Sequence, residues 1–182
     1  IAAAELMAEF PGRRVRTVDS LGAGFGPGLL TILAADLRSK GKTVDETADY
    51  LDQKKMDLCE FFTVDDLMFL RRTGRLSTTG ALAGTMLGIK PILRGDEDGH
   101  IVTYQKCRGR KKAVDTLAQL YETRVVDAGS QIVAISHGDC LEEAQALADK
   151  ICAAAKPKEL IFCPHEPVTG SHVGPGMLAV FF

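Results

Sequence analysis

The 182-residue sequence has no tryptophan, no excess of charge of one sign and no long apolar run. Its 22 basic and 24 acidic residues give a formal net charge of −2, which excludes a broadly basic nucleic-acid-binding surface. A membrane-spanning helix needs about 20 consecutive apolar residues, and no segment approaches that length. The 46% hydrophobic and 25% charged residues are typical of a globular chain, so we expect a cytoplasmic protein of one or two domains.

The cysteines are too few and too widely spaced for a disulfide scaffold or a zinc site. They are Cys59, Cys107, Cys140, Cys152 and Cys163, and none forms a Cys-x-x-Cys pair. Structural zinc sites need ligands at short spacings, and small secreted domains need many cysteines. The sequence therefore predicts free thiols in a reducing compartment and no metal site.

Helical and strand periodicities alternate along the chain, which predicts an α/β architecture. Residues 14–18 have the pattern of a short strand, and Thr43 with Glu46 has the pattern of a capping box that starts a helix. The polar segment 96–99 ends in glycine between two apolar runs, which predicts a β-hairpin and a mixed sheet. The pattern changes near residue 57, so we predict two domains, 1–57 and 58–182.

A glycine-dense loop, Gly22–Gly28, lies between the predicted strand and the next helix. Glycines let a backbone approach a ligand closely, and a helix start offers free N–H groups to an anion. The glycines alternate, however, and do not match the Gly-x-Gly-x-x-Gly spacing of dinucleotide-binding loops. The loop is therefore interpreted in three ways: a tight turn, a backbone contact to a ligand, or the site of a nucleotide- or phosphate-binding α/β enzyme.

A second glycine-rich loop and a basic run are further candidate binding features. The loop, residues 170–176, places His172 among glycines, which suits a carboxylate or phosphate headgroup but also a structural turn. The basic run Arg108–Lys112 fits an anion- or partner-docking patch, or a solvated helix start. The segment 67–93 is apolar on most faces, which indicates either core or the wall of a long apolar cavity.

Five sequence blocks in a fixed order resemble a known family. They are Asp19-Ser20 before the glycine loop, Phe62–Leu67 with Leu70–Leu76, Ile89–Leu93, Arg108–Ala113 and Gly170–Gly176. Together they resemble the DegV family of bacterial fatty-acid-binding proteins along the whole chain. The resemblance implies a partial three-layer parallel α/β/α domain, followed by a two-layer α/β domain with a mixed sheet. Family members carry an earlier segment with carboxylate-binding Thr and Ser residues, so we expect this chain to lack the N-terminal part of the first domain.

The resemblance also implies a function and a partner. One long-chain fatty acid would lie in an apolar tunnel, and its carboxylate would be presented to a separate fatty-acid kinase related to dihydroxyacetone kinases. The protein would be a lipid-binding carrier with no catalytic residue, no metal and no cofactor. It would bind no nucleic acid and would not insert stably into a membrane.

Three groups of site residues follow from the resemblance. The implied headgroup residues are His172, Ser171, Gly174, Arg108 and Arg110. The implied loop residues near the ligand are Ser20, Gly24 and Gly26. The implied tunnel lining is Leu67, Leu70, Leu76, Ala81, Leu82, Met86, Leu87, Ile89 and Ile92.

Overall fold

The computed structural model describes residues 2–76 and 88–182, which form an α/β fold around a six-stranded sheet. The strands are β1 (Glu60–Thr63), β2 (Ile92–Gly95), β3 (Ile101–Gln105), β4 (Ile132–His137), β5 (Glu159–Pro164) and β6 (Leu178–Phe181). The helices are α1 (Ala2–Glu9), α2 (Gly26–Ser39), α3 (Val44–Lys54), α4 (Met68–Arg72), α5 (Arg110–Arg124), α6 (Leu141–Ala154) and α7 (Pro167–Val173).

The sheet is mixed, as the sequence predicted. Its strand order is β3-β2-β1-β6-β4-β5, in which β4 and β5 are parallel and the other neighbours are antiparallel. The central strand β6 is buried at every residue, which explains its uninterrupted apolar sequence. Because the side chains of a strand alternate between faces, β6 contributes to two cores.

The two faces of the sheet pack against different helices. On one face, Leu178 and Val180 join an apolar cluster with residues of α5 and α6, including Leu117 and Leu147. On the other face, Ala179 and Phe181 join a second cluster, hereafter the α4/α7 cluster. Its other members are Val64, Leu67, Leu70, Leu93, Ala134, Val173 and Met177. The α4/α7 face carries the cavity described below.

The predicted hairpin is confirmed as β2 and β3, and the side chain of Asp96 holds its turn. Asp96 Oδ1 accepts hydrogen bonds from the backbone N–H groups of Asp98 at 3.0 Å and His100 at 2.8 Å. The acceptor atoms of Asp96, Asp98 and His100 also lie within 4.8 Å of one another. We assign this group, in which Asp98 and His100 are exposed, to the turn, because Asp96 Oδ1 already accepts from two backbone donors.

The N-terminal region differs from the sequence expectation at one place. Residues 14–18 form no strand, so the prediction there is wrong. Arg14 and Arg16 instead bind Asp45 of α3 at 3.0 and 2.7 Å, and Arg16 also binds Asp49. The Thr43–Glu46 capping box at the start of α3 is confirmed. The division at residue 57 stays a prediction, although the six strands of the described chain all follow it.

Within residues 2–76 and 88–182, no helix has both the length and the apolar character needed to cross a bilayer.

Candidate functional site

A cavity of about 650 Å³ lies between the sheet, the loop before α2 and helices α4 and α7. Its apolar wall consists of Phe61, Phe62, Leu70, Ile101, Val173, Met177, Ala179 and Phe181. The volume falls within the roughly 300–1,000 Å³ that small-molecule sites occupy. Burial in such a wall stabilises an alkyl ligand by about 0.8 kcal/mol for each methylene group. The cavity is therefore suited to a ligand with a large apolar part.

His172, near the C-terminal end of α7, offers an unused polar atom at this cavity. Its side chain lines the cavity, and its Nδ1 atom is buried without a hydrogen-bond partner among the described residues. An unpartnered buried polar atom costs about 1–3 kcal/mol, and a ligand that supplies a partner recovers this free energy. An imidazole N–H would pair well with a carboxylate oxygen. His172 is thus suited to orient the polar end of a ligand.

His165 lines the same cavity, and a chain of hydrogen bonds determines its tautomer. The hydroxyl of Thr169 donates to the carboxylate of Glu166, so it must accept at its other contact, 2.6 Å from His165 Nε2. His165 therefore carries its proton on Nε2, and Nδ1 accepts from the Ser136 hydroxyl at 2.9 Å. Burial also lowers the pKa of His165 below its usual value. The ring is neutral and firmly oriented.

Glu60, the first residue of β1, places its carboxyl group beneath the glycine loop. The backbone N–H of Ala23 donates to Glu60 Oε2 at 3.2 Å, and a Cβ atom on Gly22 or Gly26 would overlap Glu60 Oε1. Glu60 Oε1 is buried and has no hydrogen-bond partner within the described part of the chain. Burial, partly opposed by the Ala23 hydrogen bond, raises the pKa of Glu60 to about 7.

The contact with Glu60 accounts for the spacing of the glycine loop. Gly22 and Gly26 leave the room that the carboxyl group occupies. Gly24 has a φ of +59° and would bring a Cβ to 3.1 Å from His165 Cε1 and 3.2 Å from Phe181 Cζ. The alternating glycines therefore leave room for the Glu60 carboxyl group and for the side chains of the cavity wall. The interpretation of this loop as a nucleotide or phosphate site gains no support from this geometry.

A second, smaller cavity of about 120 Å³ lies on the other side of Glu60. Ser20, Lys55, Arg94 and Arg124 contribute polar groups to it. It shares Leu21, Gly22, Glu60, Phe61 and Gly95 with the large cavity. Glu60 and the glycine loop thus form the partition between the two spaces.

The structure brings some of the sequence-predicted residues to the large cavity. His172, Gly24 and Leu70 line it directly. Leu67 belongs to the α4/α7 cluster beside the cavity, and Leu76 packs against that cluster. Ser20 lines the smaller cavity, and Gly26 contacts the Glu60 carboxyl group behind the wall.

Other predicted headgroup residues are engaged elsewhere. Ser171 is exposed and donates to the Val168 carbonyl at 2.7 Å. Gly174 ends α7 with a φ of +74° against the Phe69 ring. Arg110 forms an ion pair with Glu143 at 2.7 Å and lines neither cavity, although its Nη1 atom is buried without a partner among the described residues.

The remaining predicted positions lie apart from the large cavity or outside the described residues. Arg108 is exposed and pairs with Ile89 through an isolated β-bridge. Ile92 is fully buried on the opposite face of the sheet, in the cluster with α5 and α6. Four predicted lining positions lie outside the described residues: Ala81, Leu82, Met86 and Leu87. The binding roles of all these residues stay predictions.

Sequence reasoning assigned only His172 among the polar side chains that line the cavity. It missed Asp19, Glu60, Arg75, Asp98, His100, His165 and Thr169. Glu60 had a visible signal, since it is the one charged residue of an otherwise uncharged strand, Glu-Phe-Phe-Thr. A carboxylate at a strand start is usually solvated, however, and its distant partner at Ala23 is not apparent from the sequence.

Comparison with known proteins finds similarity along the whole chain. A family model described as "Uncharacterised protein, DegV family" matches residues 1–182. A DegV domain-containing protein of Clostridium perfringens is 40% identical over 182 residues, which is 100% of this chain and 62% of that protein.

Two solved structures share the fold. One is described as a fatty acid binding DegV family protein from Streptococcus agalactiae. It is 28% identical with a TM-score of 0.85, and the match covers 98% of this chain and 62% of that one. The other, described as DegV, a fatty acid binding protein from Bacillus subtilis, is 30% identical with a TM-score of 0.81, covering 99% and 64%. The chain thus spans less than two thirds of these relatives.

Proposed function

Because the chain belongs to the DegV family, we propose that it binds one long-chain fatty acid in the large cavity. The observation that carries this proposal is the pairing of an apolar wall with the unpartnered Nδ1 atom of His172. The wall suits the alkyl chain, and His172 suits the carboxylate. The fatty-acid-binding descriptions of the Bacillus and Streptococcus proteins support the same ligand class.

We propose that the protein takes part in a reaction only by presenting its bound ligand to another enzyme. A separate ATP-dependent kinase related to dihydroxyacetone kinases would phosphorylate the carboxylate. A carrier rather than an enzyme is proposed in line with the fatty-acid-binding descriptions of the solved relatives. Among the described residues, His165 has both ring nitrogens engaged and so is not available as a general base. Ser136, its hydroxyl partner, is only 1% exposed and so is poorly placed to attack a substrate.

We also propose two domains, an N-terminal region over 1–57, whose described part is helical rather than α/β, and a lipid-binding domain over 58–182. The glycine loop of the first region forms part of the cavity wall, so both regions would contribute to ligand binding. A reducing, cytoplasmic location is proposed because all five cysteines are free thiols.

Native mass spectrometry of the protein purified from bacteria tests fatty-acid binding. We expect a mass increment equal to one fatty acid, which disappears after delipidation and returns on addition of palmitate. An apo mass that palmitate does not change would overturn the proposal. Thermal stabilisation by ATP or phosphate without any response to palmitate would instead favour a nucleotide- or phosphate-binding enzyme.

The presentation role needs a separate test with a candidate kinase. Palmitate-loaded protein, the kinase and γ-labelled ATP should together yield label in a hydroxylamine-sensitive acyl phosphate. Omitting the carrier should abolish this product. Equal product without the carrier would leave fatty-acid binding intact but remove the presentation role.

A further inference from the structure

We propose that Glu60 is a positioning residue whose protonated carboxyl group holds the loop 21–26 closed over the cavity, and that its ionisation opens this loop and speeds ligand release. The effect on release rests on the proposed fatty-acid binding. The effect on the loop does not, so the two can be tested separately.

The first argument is the fit between Glu60 and the loop. The carboxyl group occupies the space beside Gly22 and Gly26, where any side chain would overlap it. The N–H of Ala23 donates to Oε2 across a sequence separation of 37 residues. Glu60 therefore joins β1, at the centre of the fold, to a loop that has no strand of its own.

The second argument is the position of the loop. Leu21, Gly22, Ala23 and Gly24 line the large cavity, and Leu21 and Gly22 also line the small one. Displacement of this loop would join the two spaces and expose the ligand. Leu21 itself has a φ of +54°, a conformation that costs a non-glycine residue free energy. The closed loop is thus held under backbone strain.

The third argument is that Glu60 forms no ion pair with any described residue. Its Oε1 atom is buried, and Ala23 N–H is the one donor to the carboxyl group within the described residues. Charged groups from other elements line the smaller cavity with it: Lys55, Arg94, Asp96 and Arg124. Lys55 is paired with Asp52, and Arg124 donates to the Tyr104 hydroxyl. The titratable groups of the large cavity are Asp19, Arg75, Asp98, His100, His165 and His172.

The balance of these effects favours the neutral form in the closed loop. Burial raises the pKa of Glu60 to about 7, and no charged neighbour contributes to the shift. An ionised carboxylate would gain free energy if its buried Oε1 atom reached water, and displacement of the loop would provide this access. The loop should therefore be closed at pH 6 and more open at pH 8.

The decisive variant is Glu60→Gln, which keeps the shape and an acceptor for Ala23 N–H but cannot ionise. Glu159→Gln is the matched control, because Glu159 also begins a strand but is exposed. Hydrogen exchange of residues 21–26, corrected for intrinsic rates, and the palmitate dissociation rate are measured at pH 6, 7 and 8.

In the wild type and in Glu159→Gln, we expect loop exchange and palmitate dissociation to rise by up to about tenfold from pH 6 to pH 8. This follows the growth of the ionised fraction around a pKa of about 7. In Glu60→Gln both quantities should stay flat. Equal pH slopes in the wild type and Glu60→Gln would overturn the proposal.

A second pair of variants tests the fit at constant pH. Gly26→Ala must displace the Glu60 carboxyl group, whereas a Cβ on Gly28 meets the Phe25 ring at an ordinary 3.5 Å. Gly26→Ala should speed exchange of the loop at pH 6 by at least tenfold, and Gly28→Ala should not. Equal exchange in the two variants would contradict the role of Glu60.

The loop measurement separates this inference from the proposed function. A pH-dependent loop in a protein that never binds palmitate would support the Glu60 role and reject the fatty-acid ligand. Palmitate binding together with pH-independent exchange of the loop would support the fatty-acid ligand and reject the Glu60 role.

Discussion

The hydroxyl of Ser136 donates to Nδ1 of His165 at 2.9 Å, in a contact that is almost completely shielded from water on the serine side. This bond and the contact with Thr169 together hold His165 as the neutral Nε2–H tautomer. The ring can then act as a rigid, uncharged part of the cavity wall.

We therefore predict that His165 stays neutral at pH values where an ordinary histidine is half protonated. Long-range ¹H–¹⁵N spectra should show a protonated Nε2 and an unprotonated Nδ1 at pH 6.5. Ser136→Ala should destabilise the protein by about 1–3 kcal/mol, because it leaves Nδ1 buried without a donor. Ser39→Ala, at an exposed helix end, is the control and should change stability little. A doubly protonated ring at pH 6.5 would contradict the assignment.

His172→Ala should weaken palmitate binding by about tenfold, since it removes the group assigned to the carboxylate. His137→Ala is a matched control: His137 Nδ1 is also buried without a partner among the described residues, but His137 does not line either cavity. Isothermal titration with palmitate measures both. Equal losses of affinity in the two variants would remove His172 from the headgroup site.

Ala179→Leu should reduce the usable length of the cavity. Ala179 lines the cavity wall from the central strand β6, so a larger side chain would occupy ligand space. We expect palmitate affinity to fall more than laurate affinity. Val180→Ile enlarges the next residue, which faces α5 and α6, and it should cost stability without changing chain-length preference. An unchanged ratio of the two affinities in Ala179→Leu would place the alkyl chain elsewhere.

Arg110→Met should lower stability and leave palmitate binding unchanged within about twofold. Arg110 donates from Nε and Nη2 to Glu143 at 2.7–3.1 Å, and such charge-assisted bonds contribute about 1.5–3 kcal/mol when partly buried. A double-mutant cycle with Glu143→Gln, followed by urea unfolding, measures the coupling. A tenfold loss of palmitate affinity would instead support the sequence-based assignment of Arg110 to the headgroup.

Glu60→Gln should increase stability at pH 8 and change it little at pH 5. The raised pKa means that the folded protein binds more protons than the unfolded chain between pH 4.5 and about 7, so stability falls as pH rises through this window. The shift corresponds to a loss on the order of 3 kcal/mol at pH 8.

His165 has the opposite effect on stability near pH 6.5, because its lowered pKa makes the folded state release protons. Because both proteins contain His165, this contribution cancels when the free energy of unfolding of the wild type is subtracted from that of Glu60→Gln. Urea unfolding from pH 5 to pH 8 provides the measurement. A difference that stays constant across this range would mean that Glu60 titrates normally.

Several features of the fold could be predicted from sequence because they depend on contacts between neighbours in the chain. The Thr43–Glu46 capping box and the hairpin turn at Asp96 each close within four residues. The strand predicted at residues 14–18 is absent, because a strand depends on a partner that can be distant in the chain. A strand needs a hydrogen-bonded neighbour, and Arg14 and Arg16 bind α3 instead.

The candidate site was predictable only in part. His172, Gly24 and Leu70 were identified through the family resemblance, and the structure brings them to one cavity. The partnership of Arg110 with Glu143 spans 33 residues, and Arg110 lines neither cavity. The apolar pattern of β2 also could not show that Ile92 faces α5 and α6, because a strand buried on both faces has no polar side.

The sequence by itself determined the mixed α/β class, the local caps and turns, and membership of the DegV family. These follow from periodicity, short-range hydrogen bonds and ordered motifs. Only the tertiary structure decided which polar groups meet the cavity. Ser136 reaches His165 across 29 residues, and Glu60 reaches Ala23 across 37. Contacts of this kind depend on how the sheet, α7 and the glycine loop pack together, and it is this packing that buries Glu60 and raises its pKa.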